Sequence, residues 1–239
     1  MAAINEILRD LKDSIRQELS EVFTYDGHIG TTILESVNPS MILDLKLEIL
    51  KVFKNYSFVD DRLISVYLYS IVWKVLEYEP QFVIDISEKA INDKAVKQKQ
   101  PWIEILEDQN RLNEIATFFK NNIEYGDKYF QEKMLYNLSE TKIDIGDNIL
   151  RFLNSKEVIL SLAAISVIES QEKQVYLPQL IELFSLTKDT DILLDLAKIM
   201  VQWDAKLSSL VRDKIKNLKE ANADYYSDCI DELEEIISN

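Results

Sequence analysis

Apolar and polar residues alternate along most of the chain with the period of an α-helix. Residues 3–23 place apolar side chains three and four positions apart, which is the stripe of an amphipathic helix. The same spacing predicts helices over residues 40–55, 60–79, 80–91, 102–121 and 127–138. We predict the segment over 60–79 as a central helix because its apolar face is wide.

In the C-terminal half, a pair of helices recurs about every 33 residues, a period found in helical-repeat proteins. Three matching windows begin at Glu157, Asp191 and Asp224. The predicted first helices cover 148–153, 178–186 and 207–218, and the second helices cover 156–170, 190–203 and 223–237. Small or aliphatic residues occupy one equivalent position of each second helix, where two helices would approach closely: Ala163, Ala197 and Ile230.

Composition supports an all-α fold. The chain has only four Gly and four Pro, too few for the turns of a many-stranded sheet. Each proline precedes a periodic apolar segment, so we expect all four to open helices: Pro39, Pro80, Pro101 and Pro178. We divide the chain into a helical N-terminal region, 1–142, and a repeat region, 143–239, within one continuous elongated unit.

The repeat windows resemble HEAT-like repeats over residues 146–239. The resemblance implies an α-α superhelix whose second helices line a concave surface. The windows depart from the commoner HEAT pattern because only Pro178 stands in a first helix and the second helices lack a regular Arg. The period is also short, so armadillo-like or irregular α-α stacking stays open. The first half contains no convincing copy of the repeat, so diverged repeats and irregular helical packing both stay open there.

The charge balance restricts the partner. With 27 basic and 42 acidic residues the net charge is −15, which repels phosphate backbones and anionic membranes. We therefore expect neither nucleic acid nor membrane as a partner and favour a basic protein. Charged residues interrupt the apolar pattern near the N-terminus, so we expect no secretory signal there. No segment matches a membrane span of about 18 apolar residues. The single cysteine suits a reducing compartment, so we predict a soluble, cytoplasmic protein.

Residues suited to catalysis are few. His28 is the only histidine, which excludes paired-histidine metal motifs, and we interpret it as a structural or surface residue. Asp60 and Asp61 are expected to cap the following helix. Cys229 occupies a repeat position that Leu occupies in the other two windows. We therefore interpret it as a small, buried apolar residue and not as a nucleophile. We predict no catalytic residue, no metal and no cofactor.

Carboxylates form stripes on the polar sides of the second helices. From Asp224 onward there are six acidic residues and no Lys or Arg, and like charges three or four positions apart repel each other. A cationic partner would relieve that repulsion, although an ordinary solvated helix face has the same pattern. The predicted partner-binding residues are Asp191, Asp195, Trp203, Asp224, Tyr226, Asp228, Asp231 and Glu235.

A small, acidic, helical chain of this kind also resembles the immunity proteins of bacterial polymorphic toxin and contact-dependent growth inhibition systems. The resemblance implies a non-catalytic inhibitor that covers the basic active site of a nuclease toxin with an acidic groove. Two alternatives stay open. One is a general scaffold or adaptor that recognises a helix or peptide. The other is a helical hydrolase that uses carboxylates.

Overall fold

The computed structural model describes residues 2–21, 32–56, 62–94, 96 and 99–238. Every regular element in these ranges is helical, without a strand among them, so the protein is all-α. The four prolines stand at the first or second position of helices, as predicted. His28, Asp60 and Asp61 lie outside the described residues.

The chain forms two compact units, Met1–Glu114 and Ile115–Asn239. The sequence-based division between 142 and 143 concerned the start of the repeats and stays a prediction. Helix α6, Leu112–Asn121, straddles the division between the two units.

Unit 1 is organised around α3. Its helices are α1 (Ala2–Glu21), α2 (Ile42–Tyr56), α3 (Arg62–Leu76), α4 (Pro80–Asn92) and α5 (Gln100–Asp108). Helices α1, α2 and α4 all contact α3, and α5 contacts α4. Ile71, Val72 and Val75 of α3 are fully buried, so the wide apolar face of this segment marks the helix at the centre of unit 1.

The helix predicted over 102–121 is interrupted. Helix α5 ends at Asp108 and α6 begins at Leu112. Between them Asn110 has a φ of 55°, a left-handed conformation that asparagine tolerates better than most residues. The amides of Asn110 and Arg111 donate to the carbonyls of Glu107 and Leu106 at 2.8 Å. The sequence pattern did not predict this break because the apolar spacing continues through residues 109–111.

Unit 2 contains the larger part of α6, the helix α7 and three helix pairs, and the pairs contact one another through their second helices. The helices are α7 (Lys128–Ser139), α8 (Asn148–Leu153), α9 (Val158–Ser170), α10 (Leu177–Leu186), α11 (Thr190–Trp203), α12 (Ser208–Asn222) and α13 (Ser227–Ile236). The pairs are α8 with α9, α10 with α11, and α12 with α13. Helix α9 also contacts α7 and α11, and α11 also contacts α13. The second helices are therefore neighbours in the order of the sequence.

The small or aliphatic residues at equivalent positions of the second helices are buried. Ala163 and Ala197 have no exposed surface, and Ile230 is buried. These are the equivalent positions at which the sequence predicted a close approach. A small side chain lets a neighbouring helix approach, since interiors are packed at nearly crystalline density.

Side chains from later segments bond the carbonyls at the ends of earlier helices. Gln171 Nε2 donates to the carbonyls of Leu138, Thr141 and Ile143 at 3.0–3.1 Å. Leu138 is in the last turn of α7, and Thr141 and Ile143 follow the end of that helix. Lys214 Nζ does the same for the end of α10, at 3.1 Å to Ser185 and 2.8 Å to Thr187. The last carbonyls of a helix have no partner within the helix, so these bonds fasten successive pairs to one another.

In unit 1, the Glu48 carboxylate connects three helices. It accepts hydrogen bonds from Lys12 of α1 at 3.3 Å, Lys51 of α2 at 3.2 Å and the Tyr67 hydroxyl of α3 at 3.0 Å. Its side chain is only 11% exposed. Burial acts to raise the pKa of Glu48, but Lys51, Tyr67 and Lys12 outweigh it and hold that pKa below its ordinary value. Burial and this carboxylate together raise the pKa of Tyr67.

A larger side chain at a buried small residue of a second helix should destabilise unit 2. Ala197→Leu adds volume at a fully buried site, so we expect a loss of about 1–3 kcal/mol in the free energy of unfolding, measured by urea denaturation. Ala221→Leu is the matched control because Ala221 is exposed at the end of α12. An equal effect of the two substitutions would contradict the close approach at Ala197.

Replacing Glu48 should destabilise unit 1 in a pH-dependent manner. Glu48→Gln leaves the buried Tyr67 hydroxyl and two ammonium groups without their anion, so we expect a loss of about 1–3 kcal/mol at neutral pH. A carboxyl group whose pKa is lowered by folding stabilises the protein above its unfolded pKa, and that stabilisation is lost as the pH falls through the folded value. The difference between the two proteins should therefore shrink in acid, as followed by urea denaturation at neutral and acidic pH. The exposed Glu77→Gln serves as control, and a constant difference at all pH values would argue against the ionic role.

Candidate partner-binding surface

Helix α11 separates its carboxylates from its apolar side chains. The helix begins after Asp189, whose carboxylate accepts the Ile192 amide at 3.1 Å. Asp191 is exposed and Asp195 is half-buried. The opposite side is buried: Ile192, Leu196, Ile199 and Met200. The two aspartates thus face outward, as helical spacing predicted.

Helix α13 shows the same division. Asp228, Asp231 and Glu235 are exposed, whereas Cys229 is buried among its neighbours, together with Ile230 and Leu233. Exposure alone makes these carboxylates available, and the packing of α13 on α11 brings two acidic helices side by side.

Two predicted residues do not lie on α13. The expected helix from residue 223 was wrong at its start, since residues 223–226 form a turn and α13 begins at Ser227. Asp224 and Tyr226 belong to this turn. Tyr226 is partly buried, with its ring 4.8 Å from that of Tyr225 in an edge-to-face contact. Tyr225 is 74% exposed, so it is the accessible aromatic side chain of the turn.

Trp203 lies at the opposite end of α11 from Asp191. It is the last residue of α11 and is partly buried. Asp191 is in the first turn of the same helix, so the two are separated by about 18 Å along the axis. The predicted set of residues therefore covers the length of α11 rather than one compact spot.

Carboxylates of both helices influence Cys229, which is buried on α13. Burial raises the pKa of the Cys229 thiol, and the carboxylates of Glu232 and Asp191 raise it further, against an opposing effect of Lys214. Asp191 is on α11 and Glu232 on α13, so the charges of the two packed helices act on the same group. Glu232 is exposed and is absent from the set of partner-binding residues predicted from the sequence.

A tyrosine of α7 reaches the same side of unit 2. Tyr136 is 43% exposed, and its pKa is raised by burial and then by Glu132 and Asp195. Helices α7 and α11 both pack on α9, and the charge of Asp195 on α11 reaches Tyr136 on α7. Tyr129, 65% exposed, lies seven residues earlier on the same helical face. Exposed tyrosines are frequent energetic centres of protein interfaces.

Counter-charges are sparse on this surface. Lys198 lies 3.9 Å from Asp195, and Lys219 pairs with Glu234 at 2.6 Å on the side facing α12. In the part of the chain that the structure describes, no cation forms an ion pair with Asp191, Asp228 or Asp231, nor with Glu232 or Glu235. We name as the acidic face the residues Asp191, Asp195, Asp228, Glu232 and Glu235.

Comparisons with protein-family models, with curated proteins and with solved structures gave no match to this chain. Among the described residues, no three His, Cys, Asp or Glu side chains converge to hold a metal ion. No helix in those ranges has the length and apolar character needed to cross a membrane. The class that the structure defines is an all-α protein with an acidic face on its second helices.

The influence of both acidic helices on Cys229 can be tested through the titration of its thiol. Asp191→Asn combined with Glu232→Gln removes two negative charges that raise the thiol pKa, so that pKa should fall. Because Cys229 is buried, the measurement is the ultraviolet absorbance of the thiolate across a pH series, with a Cys229→Ser variant as the blank. Asp231→Asn is the control because Asp231 does not contribute to the thiol pKa. Equal thiol pKa values in the double variant and the native chain would contradict the joint influence of α11 and α13.

Proposed function

We propose that this chain is a non-catalytic module that binds a basic protein through the acidic face. The proposal depends on one observation: exposed carboxylates of two adjacent helices have no ion-pair partner among the described residues. They are Asp191 of α11 and Asp228, Asp231, Glu232 and Glu235 of α13, whereas Asp195 pairs with Lys198 of its own helix. Such an arrangement is mildly unfavourable in isolation because like charges repel. A cationic partner turns that repulsion into attraction.

Tyrosines beside the carboxylates supply the apolar part of the interaction. Tyr136 is close enough to Asp195 to be affected by its charge, and Tyr129 is exposed two turns earlier on the same helix. Tyr225 presents its ring in the turn before α13. Electrostatic complementarity accelerates association and selects the partner, while buried aromatic side chains supply much of the affinity. The surface combines both components.

Within this class, we assign the chain to the immunity proteins that neutralise nuclease toxins in the cytoplasm. A nuclease binds phosphate groups with basic side chains, and the acidic face is complementary to such a site. The row of second helices would follow a HEAT-like superhelix, with the acidic face along its concave side. Inhibition would proceed by occlusion, with carboxylates taking the place of the phosphates.

A scaffold or adaptor is the second candidate, and one feature of unit 1 favours it. Leu43, Leu47 and Leu50 are exposed on one side of α2, at the spacing of an apolar helical stripe. An adaptor would bind an amphipathic helix there by apolar contact, with little dependence on salt. The hydrolase alternative has no observation in its favour among the described residues.

The experiment is capture of the partner from the native host, at low and high salt, with the native chain and two charge-reversed variants. Asp195→Lys with Glu232→Lys alters the acidic face. Glu182→Lys with Asp213→Lys reverses two exposed acids on first helices and is the matched control. We expect to capture a basic partner whose affinity falls by roughly tenfold or more at high salt. The Asp195→Lys with Glu232→Lys variant should no longer bind this partner, and the control variant should still bind it.

The inhibitory role requires a further measurement on the captured protein. If the partner is a nuclease, the native chain and the control should suppress its activity in solution, and the Asp195→Lys with Glu232→Lys variant should not. Equal inhibition by both variants would place the contact elsewhere. A partner that is indifferent to salt and is lost on Leu47→Asp instead would favour the adaptor.

A further inference from the structure

The cleft between α1 and α2 concentrates basic side chains in an acidic protein. Helix α1 contributes Arg9, Lys12 and Arg16 to its walls, and α2 contributes Lys51. The three residues of α1 are three and four positions apart, so they share one face of the helix. The other lining residues are Asn5, Leu8, Asp13 and Glu48. Four cations thus face two carboxylates within one cleft.

The packing around α3 creates this cleft. Both α1 and α2 contact α3, and the space between them has a volume of about 320 Å³. Sites for small molecules generally start at about this size. The hydrogen bond from Lys12 to Glu48 spans the two helices, and Tyr67 of α3 supports Glu48 from below. The walls are therefore held by contacts within unit 1.

Among the residues that line the cleft, four cations outnumber two carboxylates. Glu48 is 11% exposed and already accepts bonds from two lysines, so its main effect is to position their ammonium groups. Asp13 pairs with Arg16 at 2.8 Å. Arg9 pairs at 3.1 Å with Asp10 and lies 3.7 Å from Glu6, and both of these acids are outside the cleft lining. Exposed ion pairs such as these are worth little, so an anion of higher charge can replace them.

We propose that this cleft binds a soluble small molecule that carries two or more phosphate groups. Phosphate oxygens match the fork of an arginine and the point charge of a lysine, and several cations around one cleft suit several phosphate groups. Asn5 offers a neutral donor beside them. The molecule is soluble rather than part of a bilayer, because a chain with a net charge of −15 is repelled by an anionic membrane surface.

The test is titration of the full chain with pyrophosphate at low salt, followed by isothermal calorimetry. We expect saturable binding with one site per chain. Arg9→Gln with Arg16→Gln should weaken it roughly tenfold or more. Both arginines are well exposed, so the variant should keep its native unfolding curve. Arg212→Gln, an exposed arginine on α12, is the control and should bind as the native chain does.

Three results would overturn the proposal. The first is no binding of pyrophosphate, and the second is equal affinity in the double variant. The third is binding only to vesicles that contain a phosphoinositide, which would transfer the same chemistry to a lipid headgroup. The acidic face belongs to unit 2, so the double variant should still capture the basic partner. The two proposals can therefore fail independently.

Discussion

Burial of α9 is the constraint on which unit 2 depends. This helix is apolar on all sides, and its buried residues include Leu160, Ala163, Ala164, Ile165, Val167 and Ile168. A helix of this kind cannot face water on any side, and one partner cannot cover it. Helices α7, α8 and α11 all contact it. Because α7 and α11 both pack on α9, this helix positions Tyr136 of α7 and Asp195 of α11. A helix with no exposed charged residue before its last turn therefore holds the elements of the surface proposed for binding.

Much of the helical framework could be predicted because it depends on local spacing. The structure has α8 and α11 at the residues predicted, and the small residues Ala163 and Ala197 lie where close approach was expected. The turns at Asn110 and at 223–226 were missed because apolar spacing runs through both. For the candidate surface, helical periodicity was enough to orient Asp191 and Asp195. Glu232 and Tyr136 join them only through contacts between helices, which spacing along one helix does not contain.

The acidic surface of unit 2 also reflects where the basic residues are used. Lys214 bonds the end of α10, and Lys219 pairs with Glu234 on the side of α12. In unit 1, Lys12 and Lys51 stabilise a nearly buried carboxylate. Cations that complete the fold are not available to neutralise the outward face of α11 and α13. This distribution of basic residues leaves a basic cleft in unit 1 and an acidic face in unit 2. We therefore expect an anionic ligand at the cleft and a cationic partner at the acidic face.

The side chains that complete helix ends have a consequence for synthesis of the chain. Lys99, Ser161, Gln171 and Lys214 all donate to carbonyls that precede them in the sequence. A nascent helix therefore remains open at its end until the next segment has left the ribosome. Folding during translation would then advance pair by pair toward the C-terminus. Loss of a C-terminal pair would leave the last carbonyls of the preceding pair without their side-chain donors. Loss of an N-terminal pair would remove only acceptor carbonyls, so the ends of the later helices would keep their donors.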